Sequence, residues 1–370
     1  MLTKEQALHC ASVFSNYFDN FERIDDYIRD QKLNSLSERP VVLPGMGPEE
    51  DLFSDFNMHP NEMDFELVEL PQENWDIYLN MISSHSNMTS IPGRCFRVAI
   101  LEKNTRKWVG FIRLGSPVIN MKPRNEMLRG VFTHSKVSAD AFNRTSIMGF
   151  VIVPSQPFGF NYLGGKLLAG ICCSHWIREH LNKKYDMNTC LFETTSLYGS
   201  TKASSQYDGM KPYLRFKGLT DSDFLPLMHG KSYEDLKTFV ESAIGEIVPA
   251  DASSRKLKIS NRIIALTKAS LKGEPEYDRF MSTINNALSL TERKRYYASN
   301  YGFSNFTDVV MGKTDKLVPD KDNFDKFNLE NIIEWWKKKA SSRYETLKSE
   351  SRIRTEQEVW TVNKDIEIIR

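Results

Sequence analysis

Residues 146–200, SIMGFVIVPSQPFGFNYLGGKLLAGICCSHWIREHLNKKYDMNTCLFETTSLYGS, constrain the fold more than any other stretch of the chain. The run 147–153 is apolar and β-branched. Pro154 ends it, because proline donates no amide hydrogen and pushes Val153 away from helical space. From 162 to 185, Leu163, Leu167, Leu168, Ile171, Trp176 and Leu181 recur at helical spacing, which predicts one long helix with a broad apolar face. Cys190 then opens a second buried strand, 190–192. A strand, a crossover helix and a strand of this length make a parallel β-α-β unit.

Gly159, Gly164, Gly165 and Lys166 lie where the first strand gives way to the helix. Free amides at a helix start hold phosphate, so these four residues are candidates for an anion or pyrophosphate cradle. The alternative is a tight turn whose glycines only let the helix approach the sheet. The spacing is not a Walker A loop, which needs Ser or Thr after the lysine, nor a dinucleotide G-x-G-x-x-G.

A chain of 370 residues, 40% hydrophobic and 26% charged, can bury a large core in two or three domains. No apolar run is long enough to span a bilayer, and MLTKEQALHC has no signal-peptide apolar segment. No membrane partner and a cytoplasmic setting are therefore expected. The five cysteines show no C-x-x-C pair, which fits a reducing compartment. The scattered histidines predict no metal site. Net charge is +1, but residues 1–90 carry 5 basic and 17 acidic side chains and residues 91–250 carry 21 and 13. A basic middle suits a phosphate-bearing ligand such as a nucleotide, a coenzyme or DNA.

In chain order, a helix is expected over 2–30, with Thr3 and Gln6 as a capping box. An irregular connector, 40–48, a strand, 65–70, and a short helix, 74–84, follow. The segments 95–101 and 108–114 alternate as a β-hairpin joined by the polar link 102–107. Segment 120–145 is charged and reads as a helix-containing insertion. After residue 200, Lys202, Lys211, Arg215 and Lys217 interleave with Tyr207, Tyr213 and Phe216, a mixture that can stack bases while holding phosphates. Segment 213–216 also reads as a terminal strand. Helices are expected over 233–247, 257–271, 277–288, 290–298 and 327–344, the fourth from a Ser289/Glu292 capping box, with strand or loop over 301–310 and an end strand within 353–369. The expected class is α+β (mixed α/β): a central mixed sheet with flanking helices and a mainly helical C-terminal region. Its divisions are an acidic 1–90, a core 91–230 and a helical 231–370.

Glu193 stands where a buried strand meets polar residues, a usual place for a ligand-facing carboxylate. Partial burial would raise its pKa and suit it to deprotonate an amine; the alternative is a structural pairing with one basic residue. Tyr198 and Tyr207 are candidates to donate a proton or stack on a base, or else are ordinary half-buried tyrosines. Asp221 and Asp223 form only a weak D-x-D for a nuclease.

The order of hairpin, crossover, strand, glycine turn, helix and strand resembles the GNAT-type N-acetyltransferase fold. That resemblance implies a strand that splays from its neighbour and acetyl coenzyme A or a related acyl-CoA as cofactor. Phe150, Val151 and Val153 would then lie along the pantetheine arm and Gly159, Gly164, Gly165 and Lys166 near the phosphates. GRCFRVAI, WVGFIRLGSP at 108–117, FVIVP, the following helix and LFET at 191–194 also resemble the DUF4338 family of Druantia DruA proteins over about residues 90–220. Phage Mom-type DNA modification enzymes have a related core. These resemblances imply an acyltransferase-like enzyme that modifies DNA, or a nucleic-acid-associated amine, in phage–host conflict, with Arg129, Lys202, Lys211, Arg215 and Lys217 toward DNA. The alternative is a non-catalytic DNA- or protein-binding phage or defence protein on the same fold, with a phage or host protein as a further partner.

Overall fold

The computed structural model describes residues 1–38, 48–85, 93–129, 136–196, 205–220, 227–252, 255–290 and 293–360. Met1–Arg39, Ser84–Ser86 and Ser222–Glu292 form one compact unit; Pro40–Ser83, Asn87–Asp221 and Arg293–Arg370 form a second.

The first unit is helical. The expected 2–30 helix is two, Lys4–Phe18 and Ile24–Glu38, because the chain turns at 19–23. The Thr3/Gln6 capping box is present. Helices Gly230–Ile244, Arg255–Leu271 and Glu276–Ser289 complete the unit. Phe14 packs edge-on against Phe280, and Ser15 hydrogen-bonds Thr283 at 3.0 Å.

The second unit is built on β1 (Phe65–Glu69), β2 (Cys95–Glu102), β3 (Lys107–Gly115), β4 (Ser146–Pro154), β5 (Leu191–Ser196), β6 (Arg215–Leu219) and β7 (Arg295–Ser299). Among the described residues these seven strands form one mixed sheet ordered β1-β2-β3-β4-β5-β7-β6. Only β4 and β5 pair in parallel, as the β-α-β reading requires. The hairpin forms as its alternation predicts, and buried Glu102 holds its turn by accepting from the Thr105 amide and hydroxyl, both at 2.7 Å.

Alternate strand residues enter two cores. Val98, Ile100, Ile112, Leu114 and Ile152 join the larger, under helices Gly164–Cys172 and Leu329–Ser349. Ala99, Phe111 and Val151 join Trp75 and Leu79 from the Gln72–Ile82 helix in the smaller. Both faces are thereby covered, which is why β2 and β3 are buried almost throughout. Gly170 admits the long C-terminal helix; a Cβ there would lie 2.8 Å from Ile332.

Four further elements differ from expectation. The 162–185 helix breaks at Ser174, whose side chain caps the next helix by accepting from the Ile177 amide. A separate helix, Gln156–Tyr162, precedes it. Segment 290–298 is not a helix, because Arg295–Ser299 pairs on both sides as β7; tertiary pairing overrides the capping signal, and Glu292 lies outside the described residues. Up to residue 360 the tail forms no strand; it docks by burying Val359 and Trp360, the latter donating its amide to Met81 at 2.9 Å. Segment 301–310 contains a short helix, Phe306–Val310. No described helix is long and apolar enough to cross a membrane.

Candidate functional site

β4 follows β5 only as far as Gly149, opposite Thr194. At that point Phe150 is an extra residue between two successive partners of β3, since Arg113 faces Val151 and Leu114 faces Gly149. A bulge bends its strand and sharpens the local twist, so β4 continues along β3 to Pro154 while leaving β5. Thr194 marks the parting by donating its hydroxyl to the Gly149 carbonyl at 3.0 Å. Phe150 and Val153 are half-buried there, whereas Val151 turns into the smaller core.

The glycine turn is closely packed. A Cβ at Gly159 would lie 2.9 Å from Pro154, and one at Gly164 would lie 2.6 Å from Phe158 and 2.9 Å from Pro154. Gly165 faces the Gln206 side chain. The Lys166 amine donates to the carbonyls of Gln206, at 3.1 Å, and Asp208, and burial, with Lys339 nearby, lowers its pKa. In this arrangement the turn has no room for a pyrophosphate unless Gln206, which is exposed, moves aside.

Glu193 lies on β5 between Met148 of β4 and Ala298 of β7. It is fully buried. Arg124, also fully buried, donates to one carboxylate oxygen at 2.8 Å, and the Tyr296 hydroxyl donates to the other at 2.8 Å. Burial pushes the Glu193 carboxyl up, and Arg124 and Tyr296 pull it back; burial and the carboxylate hold the Tyr296 phenol well above its ordinary range. Arg124 also donates to the Ile119 carbonyl at 2.7 Å and lies 4.4 Å over the Phe142 ring. Both oxygens of Glu193 are thus engaged by protein groups, and its carboxylate ties three elements together.

Tyr207 is buried against Tyr297, with ring centroids 5.3 Å apart; burial raises its phenol and a hydrogen bond with Thr194 opposes the shift. Asp208 next to it accepts from Tyr297 at 2.8 Å and Arg295 at 3.2 Å. Sequence reasoning missed Arg124, Tyr296, Asp208 and Arg295. Tyr198 and Lys202 lie outside the described residues.

The open edge of the sheet is β6. Arg215, Phe216 and Lys217 are all exposed, and Lys217 is itself a bulge, since Phe216 faces Tyr297 and Gly218 faces Tyr296. The Arg295 guanidinium sits 4.8 Å over the Phe216 ring, which remains 46% exposed. Among the described residues neither Arg215 nor Lys217 has a carboxylate partner, and burial together with Arg215 lowers the Lys217 pKa. Lys211 and Arg129 are exposed as well. The opposite edge, β1, contrasts with it: Glu66 is paired with Arg106, and Glu69 with Lys184. Among the described residues no three His, Cys, Asp or Glu side chains gather as a metal site.

The family model of Druantia protein DruA matches residues 49–206, a span that contains Arg124, Phe150 and Glu193. No curated protein and no solved structure matches the chain. Residues 49–206 of this 370-residue chain are a Druantia DruA-family domain.

Proposed function

We propose that the chain binds nucleic acid along the β6 edge of an acetyltransferase-like sheet. The carrying observation is the exposed run Arg215, Phe216, Lys217, with no carboxylate partner for its cations among the described residues and an aromatic face beside them. Such a strand neutralises backbone phosphates with its cations and offers a ring to bases. The Druantia match supports a phage–host setting, because the resemblance implies an anti-phage role. Fluorescence anisotropy with labelled duplex and single-stranded DNA tests the reading. The native chain binds, and Arg215→Glu with Lys217→Glu abolishes binding without moving the melting temperature. Equal binding by native and reversed-charge chains would exclude this edge.

A second reading, acyl transfer from acetyl coenzyme A to an amine of nucleic acid, is favoured by the parting of β4 from β5 at the Phe150 bulge. When bound, the coenzyme would supply the thioester. It requires Gln206 to leave Gly165. A thermal shift with acetyl coenzyme A that grows in Gln206→Ala supports it; no shift in either protein counts against it.

A further inference from the structure

We propose that Ile119, with Val118 beside it, is an apolar wedge that enters between base pairs of duplex nucleic acid held on the β6 edge; the proposal rests on the nucleic-acid reading above. Ile119 is 71% exposed and Val118 39%. Four of the seven large apolar side chains exposed among the described residues are Val118, Ile119, Phe216 and Leu219, from the loop before the Lys122–Leu128 helix and from β6. The helix that follows this loop touches β6. A Cβ at Gly218 would lie 3.1 Å from Pro123, and Gly218 holds a φ of +134° that side chains rarely adopt.

The tip is held from inside the sheet. The Ile119 carbonyl accepts from Arg124, and the same guanidinium is fixed by Glu193 and lies over Phe142. A fully buried ion pair therefore anchors an exposed apolar pair, in a position that nothing about solubility favours. Both residues are β-branched and have few rotamers to lose on insertion. Exposed cations lie on the helix that follows them and on the strand it touches: Lys122 in its first turn, Arg129 at its C-terminal end, and Arg215 and Lys217 on β6, against the single exposed carboxylate of Glu126 on that helix. Charge of this sign selects a polyanion, and apolar wedges beside phosphate contacts separate stacked base steps. A single strand would need only the Phe216 ring as a stacking face.

The test uses the full chain and a short duplex carrying 2-aminopurine at successive positions, read by fluorescence at saturating protein. Unstacking raises the signal at one or two adjacent positions several-fold. Ile119→Ala abolishes the rise while its affinity falls no more than about tenfold, since the phosphate contacts remain and the variant no longer has to unstack a step. Ile119→Leu retains the rise. Arg215→Ala with Lys217→Ala weakens binding yet leaves the saturated signal unchanged. A native chain that binds duplex without any rise, or an Ile119→Ala rise equal to the native one, overturns the wedge and leaves the edge reading intact. Absence of binding to any nucleic acid overturns both.

Discussion

The Arg124 guanidinium meets the Glu193 carboxylate at 2.8 Å with neither side chain reaching solvent. Desolvating two charges is costly, and their attraction offsets that cost only while both are present. Removing Arg124 would leave Glu193 with Tyr296 and no counter-charge. Arg124→Met is therefore expected to lower stability by about 3–5 kcal/mol, whereas Arg124→Met with Glu193→Leu loses less than the two single changes summed. All six tryptophans, Trp75, Trp108, Trp176, Trp335, Trp336 and Trp360, lie in the sheet unit. Urea unfolding followed by tryptophan fluorescence reads this effect in that unit alone; additive losses would deny the coupling.

The glycines divide by what surrounds them. A Cβ at Gly110 would come 2.5 Å from Leu168 and 2.9 Å from the Pro154 backbone, which cannot step aside. At Gly165 the obstacle is the exposed end of Gln206. Gly110→Ala should cost about 1–3 kcal/mol by overpacking, and Gly165→Ala no more than about 1 kcal/mol from the same source. The same unfolding measurement ranks them, and the reverse order would contradict the packing described.

Much of the sheet was legible because its elements state their period locally. The β2–β3 hairpin alternates, Pro154 marks the end of β4, and Phe65–Glu69 reads as a strand by composition. The site was much less legible. Arg124 sits in a charged segment that looks solvated, and its burial is decided by a carboxylate 69 positions away. Tyr296 is 103 positions from the same carboxylate and sits in a segment whose Ser289 and Glu292 imitate a helix start. The Phe150 bulge depends on register with β3, which no local pattern specifies.

The helical unit should weaken as the pH falls. Burial, helped by Lys256 at 3.2 Å, lowers His229 from its ordinary 6.5 to about 4, and burial lowers Lys32 to about 7. The unfolded chain then binds each proton more readily than the folded one. The His229 contribution is complete above pH 6.5 and is lost as the pH drops toward 4; that of Lys32 is complete above 10.5 and is lost toward 7. Hydrogen-exchange protection of Ile24–Glu38 and Gly230–Ile244 should accordingly be greater at pH 8 than at pH 5, after correction for intrinsic exchange. Equal protection would contradict the sign.

The most direct measurement of the central claim is the salt dependence of duplex binding. Counterion release gives a slope of log affinity against log salt of roughly −0.9 for each phosphate neutralised. With Lys211, Arg215, Lys217 and Arg129 engaged, the native slope is expected near −4, and Arg215→Ala with Lys217→Ala should bring it to about −2. A native slope near zero, or one that the double substitution leaves unchanged, would contradict nucleic-acid binding at the β6 edge.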